Sequence, residues 1–156
     1  MLRNSLKDAL KVAQKAQDRR TTSTLRLIIA ALKDRDIAAR SKGVEEGIDE
    51  KEILSMLQTM IKQRHDSIEH YEQGGRLELA EQEREEISII EEFLPRQLSE
   101  TEIAVAVAAV LEEIGAAGLK DMGRAMATLK AQYAGQMDFG RASTIAKAQL
   151  NSGQEA

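Results

Sequence analysis

The 156-residue sequence has no cysteine, no tryptophan, one proline and only four aromatic residues: Tyr71, Phe93, Tyr133 and Phe139. Without thiols there is no disulfide framework, no thiolate zinc site and no cysteine nucleophile. No apolar run approaches the roughly 18 residues a membrane span needs. Few rings means few platforms on which the bases of single-stranded RNA can stack. No stretch shows strand alternation bounded by turn chemistry. What the sequence does hold is Ala, Leu, Glu, Lys, Gln and Met in quantity, the residues that form helices best. A chain of this length buries roughly 68–70% of its unfolded surface, enough for one domain or two small ones.

Helical periodicity runs through almost all of it. Leu2, Leu6, Leu10 and Ala13 share a stripe that Ala9 and Ala16 widen, and Leu25, Ile28, Ile29 and Leu32 repeat the pattern. A third helix opens at Asp49 with Glu52 three residues on, as in a capping box. It carries Ile53, Leu57, Met60, Ile61, Ile68 and Tyr71 inward and ends at Gly74-Gly75. A fourth runs from about Arg76 to Leu94, with Ala80, Ile87, Ile90 and Leu94 on one side. Pro95 disfavours helix at Leu94 and punctuates the chain. Ser99 with Glu102 is a second capping box, followed by Ile103, Val107, Val110, Leu111 and Ile114 and a stop at Gly115 and Gly118. Met122, Met126, Leu129 and Tyr133 mark a sixth helix, and Asp138 caps a seventh with Ala142, Ile145 and Ala146 inward. The expected fold is all-α. A four-helix part with a long central helix spans 1–95, a three-helix part spans 96–150, and 151–156 form a flexible tail.

The net charge of −4 conceals an asymmetry. Residues 1–42 carry a balance of +7, residues 43–94 one of −10 and residues 95–156 one of −1. A basic end and an acidic middle either neutralise each other by helix pairing or leave a cationic surface for a partner. The amphipathic stretch 1–20 has features of a mitochondrial presequence, but Asp8 and Asp18 speak against it. It reads as part of the fold of a cytoplasmic protein.

Catalytic constellations are missing. His65 and His70 lie five residues apart and do not share a helix face as a metal pair would. His65 and Glu69 have ligand spacing, yet read better as solvated residues of a long helix. The carboxylates from Glu78 to Glu92 read as a solvated face rather than an acid/base pair. Thr21, Thr22, Ser23 and Thr24 have no histidine beside them and read as a helix cap rather than nucleophiles. Gly74-Gly75 lacks the Lys-Ser/Thr of a phosphate loop. No catalytic residue, metal ligand or cofactor is assigned.

The basic end is the remaining candidate. Arg3, Lys7, Lys11, Lys15 and Arg19 recur every four residues, which on a helix makes a slowly winding cationic ridge. Arg26, Ala30 and Lys33 lie on one face of the second helix. Such ridges suit phosphate contacts, which need cations but no base-reading side chains. Arg26 stands within an apolar run, so it is expected to lay its stem on the core. Its head then pairs with an acid such as Glu91 or Glu92, or faces a phosphate.

The stretches STLRLIIAALKDRDI, IKQRHDSIEHYEQGGRLELAEQE, EFLPRQLSETEI, LKDMGRAMATLK and AGQMDFGRASTIAKAQL, in this order, resemble the GatB/YqeY family over nearly the whole length. The likeness is greatest to its free-standing members. The resemblance implies an all-helical fold of two subdomains. It also implies kinship with the helical and tail domains of the GatB component of the glutamine-dependent aspartyl/glutamyl-tRNA amidotransferase, whose tail contacts tRNA. The catalytic portions of that enzyme have no counterpart here, so a carbon–nitrogen ligase activity with glutamine as amido donor is the weaker expectation. Residue by residue, the tail-like cations are Lys120, Arg124, Lys130, Arg141 and Lys147. Many relatives carry basic residues at the turn around Gly135, where this chain has Ala134 and Gln136. That departure moves the expected RNA contact to the N-terminal ridge. The expected partner is structured RNA, tRNA foremost, and neither DNA nor membrane. The alternative is a module that docks on an amidotransferase, a synthetase or another protein assembly.

Overall fold

The structure, a computed structural model, describes residues 1–155, with side chains described through Ser152. The described residues are helical and contain no strand. In order the helices are α1 (Leu2–Lys15), α2 (Arg19–Ser41), α3 (Glu50–Gln73), α4 (Leu77–Glu91), α5 (Glu100–Glu113), α6 (Met122–Gln132) and α7 (Phe139–Glu155). A short 3-10 turn, Leu119–Asp121, leads into α6. The all-α expectation with about seven helices holds. The chain divides into two compact units, Met1–Pro95 and Arg96–Ala156. α7 is described as far as Glu155, within the stretch 151–156 expected to form a tail. Leu150 of α7 is buried. Position 156 lies outside the described residues.

In the first unit Leu6 and Ala13 of α1 meet Leu25, Ile28 and Leu32 of α2, with Ile53, Met56, Leu57 and Met60 of α3 and Ile90 of α4. Ile68, Ala80 and Ile87 close the α3–α4 hairpin with a smaller cluster. Asp49 caps α3 by accepting the Glu52 amide at 2.9 Å. The 24 residues of α3 then run roughly 36 Å, at about 1.5 Å per residue.

Arg3 has a structural task that its place in the cationic repeat hid. Its guanidinium grips the Asp36 carboxylate with two nitrogens, Nη2 to Oδ1 at 2.7 Å, and donates to the Ile48 carbonyl at 2.7 Å. Asp36 in turn accepts the Ile48 amide at 2.9 Å. One buried carboxylate thereby ties the start of α1 and the loop before α3 to the C-terminal part of α2. Gly47 lets the loop come this close. Its φ of +84° is left-handed, and a Cβ there would overlap the Asp36 carboxylate. The Arg3 hydrogen bonds lower the Asp36 pKa against the opposing effect of burial.

The second unit opens with the expected capping box. Ser99 Oγ accepts the Glu102 amide at 3.2 Å, and Glu102 accepts the Ser99 amide at 3.0 Å. Arg96 adds a fork onto the same Glu102 at 2.8 and 3.0 Å. With Arg96 as the main cause and the Ser99 amide next, the Glu102 carboxyl is lowered to about 2. Ile103, Val107 and Val110 pack on Leu129, Met137, Ala142 and Ala146. The Leu98 amide donates to the Gln136 carbonyl at 2.7 Å and pins the entry strap to the turn after α6.

Two outcomes follow for stability. Asp36→Ala leaves Arg3 and the Ile48 amide without their acceptor, at a cost of about 3 kcal/mol, the lower end for a broken buried pair because Arg3 is partly solvated. Because the folded pKa is lowered, this stabilisation is complete above the unfolded value of about 3.9 and is lost as pH falls through the folded value. Urea titrations at pH 7 and at progressively lower pH should therefore show the gap between wild type and variant closing below about pH 4. A gap that stays constant would remove Asp36 ionisation from the clamp. In the second unit Ser99→Ala costs about 1 kcal/mol, read by hydrogen exchange at the first turn of α5. Unchanged protection at 102–103 would show that the Arg96–Glu102 pair holds the turn alone.

Candidate functional site

The expected ridge is split by the fold. Lys7, Lys11 and Lys15 stand exposed along α1, opposite buried Leu6 and Ala13. Arg3 leaves the ridge for Asp36. Arg19 is not on this helix at all, since α1 ends at Lys15 and Arg19 begins α2 after a reversal of the chain.

That reversal contains no glycine. Gln17 takes φ of 58°, the only non-glycine residue in the left-handed region among those described. The Gln17 amide donates to the Gln14 carbonyl at 3.2 Å and the Asp18 amide to the Ala13 carbonyl at 3.0 Å, the two bonds of a Schellman ending. Asp18 then caps α2 at once, accepting the Thr21 amide at 3.1 Å and the Thr21 hydroxyl at 2.7 Å. Those bonds, the hydroxyl's first, lower the Asp18 pKa. The cap expected among residues 21–24 is thus Asp18. Thr24 is fully buried, its hydroxyl donating to the Arg20 carbonyl at 2.8 Å.

Arg26 is exposed and forms no ion pair among the described residues, so the expected pairing with Glu91 or Glu92 is corrected. The arginine that meets the acidic helix is Arg20. Its Nε lies 3.1 Å from Glu85, and its Nη1 3.9 Å from Glu86. Six residues along a helix amount to about 120° of rotation, so Arg26 faces elsewhere. Arg64 reaches the same Glu86 from α3 at 3.1 Å, and Glu83 at 3.9 Å. Burial first, then the charge of Glu86, raises the Glu83 pKa. Arg84 pairs with Glu72 and Glu81. Glu72, Glu81, Glu83, Glu85 and Glu86 of the acidic middle are therefore met within α2, α3 and α4, by arginines outside the expected set.

Arg19, Thr22, Ser23 and Arg26, at helical spacing, line one face of α2. With Gln14 and Gln17 they border an open recess of about 570 Å³. Lys33 is exposed two turns further along. In the second unit the tail-like cations divide. Arg124 donates to the Ile114 carbonyl at 2.8 Å and lies 3.4 Å from Asp121, and Arg141 pairs with Glu100. Lys120, Lys130 and Lys147 are exposed and unpaired. His65 and His70 are exposed on α3, and no group of three or more His, Asp or Glu among the described residues is placed to hold a metal ion. No helix among them is long and apolar enough to cross a membrane.

Comparison with known proteins bears on this arrangement. The family model described as Yqey-like protein matches residues 3–150. The chain belongs to that family. It is similar to altered inheritance of mitochondria protein 41 of Lachancea thermotolerans, 34% identical over 112 residues, which are 70% of this chain and 58% of that protein. The Candida glabrata protein of the same name is 30% identical over 90 residues, 58% of this chain and 48% of that one. In Saccharomyces cerevisiae the figures are 32% over 89 residues, 57% and 46%. The chain thus spans about half the length of these curated relatives.

The recess was not legible as such, although one signal existed. Arg19, Thr22 and Arg26 at spacings of three and four put two cations and a hydroxyl on one helix face. The Gln17 turn that shapes its rim carries a testable strain. A left-handed non-glycine residue costs about 1–2 kcal/mol, and glycine gives back up to about 1 through the flexibility of the unfolded chain. Gln17→Gly should then stabilise the protein by roughly 0.5–1 kcal/mol in thermal melts. Destabilisation would mean that the Gln17 side chain holds the turn.

Proposed function

We propose that this chain is an accessory protein without an active site of its own that contacts structured RNA, tRNA foremost, through its N-terminal unit. One observation carries the reading. Lys7, Lys11, Lys15, Arg19, Arg26 and Lys33 are all exposed and unpaired, while carboxylates of α3 and α4 take their counter-charges from Arg20, Arg64 and Arg84. Cations left over after internal pairing are the ones available to phosphates. With no rings among them, they suit shape-based contact to a duplex backbone rather than base reading. The family's kinship with an amidotransferase tail supports the same partner. The names of the yeast relatives place those proteins in mitochondria. The mitochondrial matrix and the cytoplasm both contain tRNA, so the reading does not depend on the compartment.

The test replaces Lys7, Lys11 and Lys15 together by Gln. All three are exposed, so stability should change by no more than about 0.5 kcal/mol per site, checked by circular dichroism. Filter binding to tRNA across a salt series should show weaker binding, equal for different tRNAs. The log–log salt slope should flatten by roughly 0.7–0.9 per lost phosphate contact. A folded triple variant with unchanged affinity and slope would overturn the ridge, and docking on a protein assembly would become the better reading.

A further inference from the structure

We infer that the recess between the end of α1 and the first two turns of α2 is a binding site for a phosphate group, held between the Arg19 and Arg26 guanidiniums with the Thr22 hydroxyl between them. Arg19 and Arg26 are seven residues apart, within about 20° of the same helix face, and Thr22 and Ser23 fall between them. None of the six side chains around the recess is acidic, and all carry hydrogen-bond donors, of which the Ser23 hydroxyl is given to the Arg20 carbonyl at 3.1 Å. Neither arginine forms an ion pair, and the Thr22 hydroxyl and the side-chain amides of Gln14 and Gln17 have no partner among the described residues. The nearest carboxylate in sequence, Asp18, is occupied by Thr21. Its neighbour Arg20 is already committed to α4, so this face of α2 is left to its two free guanidiniums. Two guanidiniums and a hydroxyl match the geometry of a tetrahedral oxyanion, which accepts charge-assisted bonds from several sides.

Size and shape narrow the ligand further. At about 570 Å³ the recess has the volume of a small-molecule site, yet it is open to solvent. An open site with charged walls suits a phosphate presented on a larger molecule better than one engulfed whole. The natural ligand rests on the RNA reading above, whereas the phosphate chemistry stands apart from it. A backbone phosphodiester of RNA and the phosphate of a soluble phosphorylated compound share that chemistry.

The experiment is an NMR titration of the ¹⁵N-labelled full chain at constant ionic strength, with three probes. These are inorganic phosphate, adenosine monophosphate, and an RNA hairpin with 5′-hydroxyl ends. Saturable shifts should appear at the amides of 19–26 and the Nε–H groups of Arg19 and Arg26. The Arg19→Gln/Arg26→Gln variant should bind phosphate at least roughly tenfold more weakly, as loss of two charge-assisted hydrogen bonds requires. Arg26→Lys, which keeps the charge but not the fork, should lose less. The Lys7/Lys11/Lys15→Gln variant should retain the phosphate shifts in full. Hairpin shifts at the same residues would assign the site to an RNA backbone, and shifts with the two small probes alone would assign it to a soluble phosphorylated ligand. Saturable phosphate binding in a protein that binds no tRNA would sink the RNA reading and keep the site. Shifts spread evenly over the exposed lysines without saturation, or a double variant that titrates like wild type, would overturn the site.

Discussion

Glu86 is a buried carboxylate between two arginines from different helices, and the charge distribution of the first unit follows from it. Arg64 comes from α3 and Arg20 from α2, so one side chain on α4 joins all three helices. Two exposed partners would gain little from such contact. Here Arg64 and Glu86 are both nearly removed from water, which makes loss of either one far costlier than a surface ion pair. Arg64 also donates to the Met60 carbonyl at 3.2 Å, so its fork is not left half-satisfied. The acidic helix is consequently a structural element with its own cations, and the basic residues of α1 are not spent on it.

The Arg3–Asp36 clamp plays a similar part at the opposite end of α2. It is built from residues 33 positions apart and a loop carbonyl, with one glycine removing the atom that would block it. Together the two buried carboxylates fix both ends of the α1–α2 hairpin. The ridge lysines and the recess are therefore carried on a hairpin tied at both ends.

What the sequence disclosed and what it hid divide along physical lines. Helix identity, the caps at Asp49 and Ser99 and the breaks at Gly74 and Gly115 depend on neighbours within four residues, and periodicity and capping chemistry read them directly. The α1–α2 reversal escaped because Gln17 occupies a conformation normally marked by glycine, so α1 seemed to continue and the cap seemed to lie among the threonines. The partners of Arg3, Arg20 and Arg64 escaped because ion pairs between helices depend on rotation about each axis, which a one-dimensional repeat does not fix. For the same reason Leu27, within the apolar run, is half exposed, whereas Thr24 is fully buried. The fold was legible almost throughout. Of the site, the residue types were legible and their grouping was not.

The proposed contact of a protein of net charge −4 with a polyanion is compatible with its overall charge because of screening. At about 0.15 M salt the Debye length is about 8 Å, so a phosphate lying on α1 responds chiefly to the charges of its own neighbourhood. There Lys7, Lys11 and Lys15 outweigh the single carboxylate Asp8 of the same helix, and the carboxylates of α4 that approach α2 are already met by Arg20. The paired arginines of the second unit differ in kind. A phosphate that takes Arg141 leaves Glu100 beside it, so the local charge gained is offset by a carboxylate that stays in place. Counterion release depends on net neutralisation of phosphates, and a paired arginine supplies little of it. The arginines therefore have different value in the two units: Arg19 and Arg26 of the first are free, whereas Arg96, Arg124 and Arg141 of the second are already claimed, and only its lysines Lys120, Lys130 and Lys147 stay unpaired.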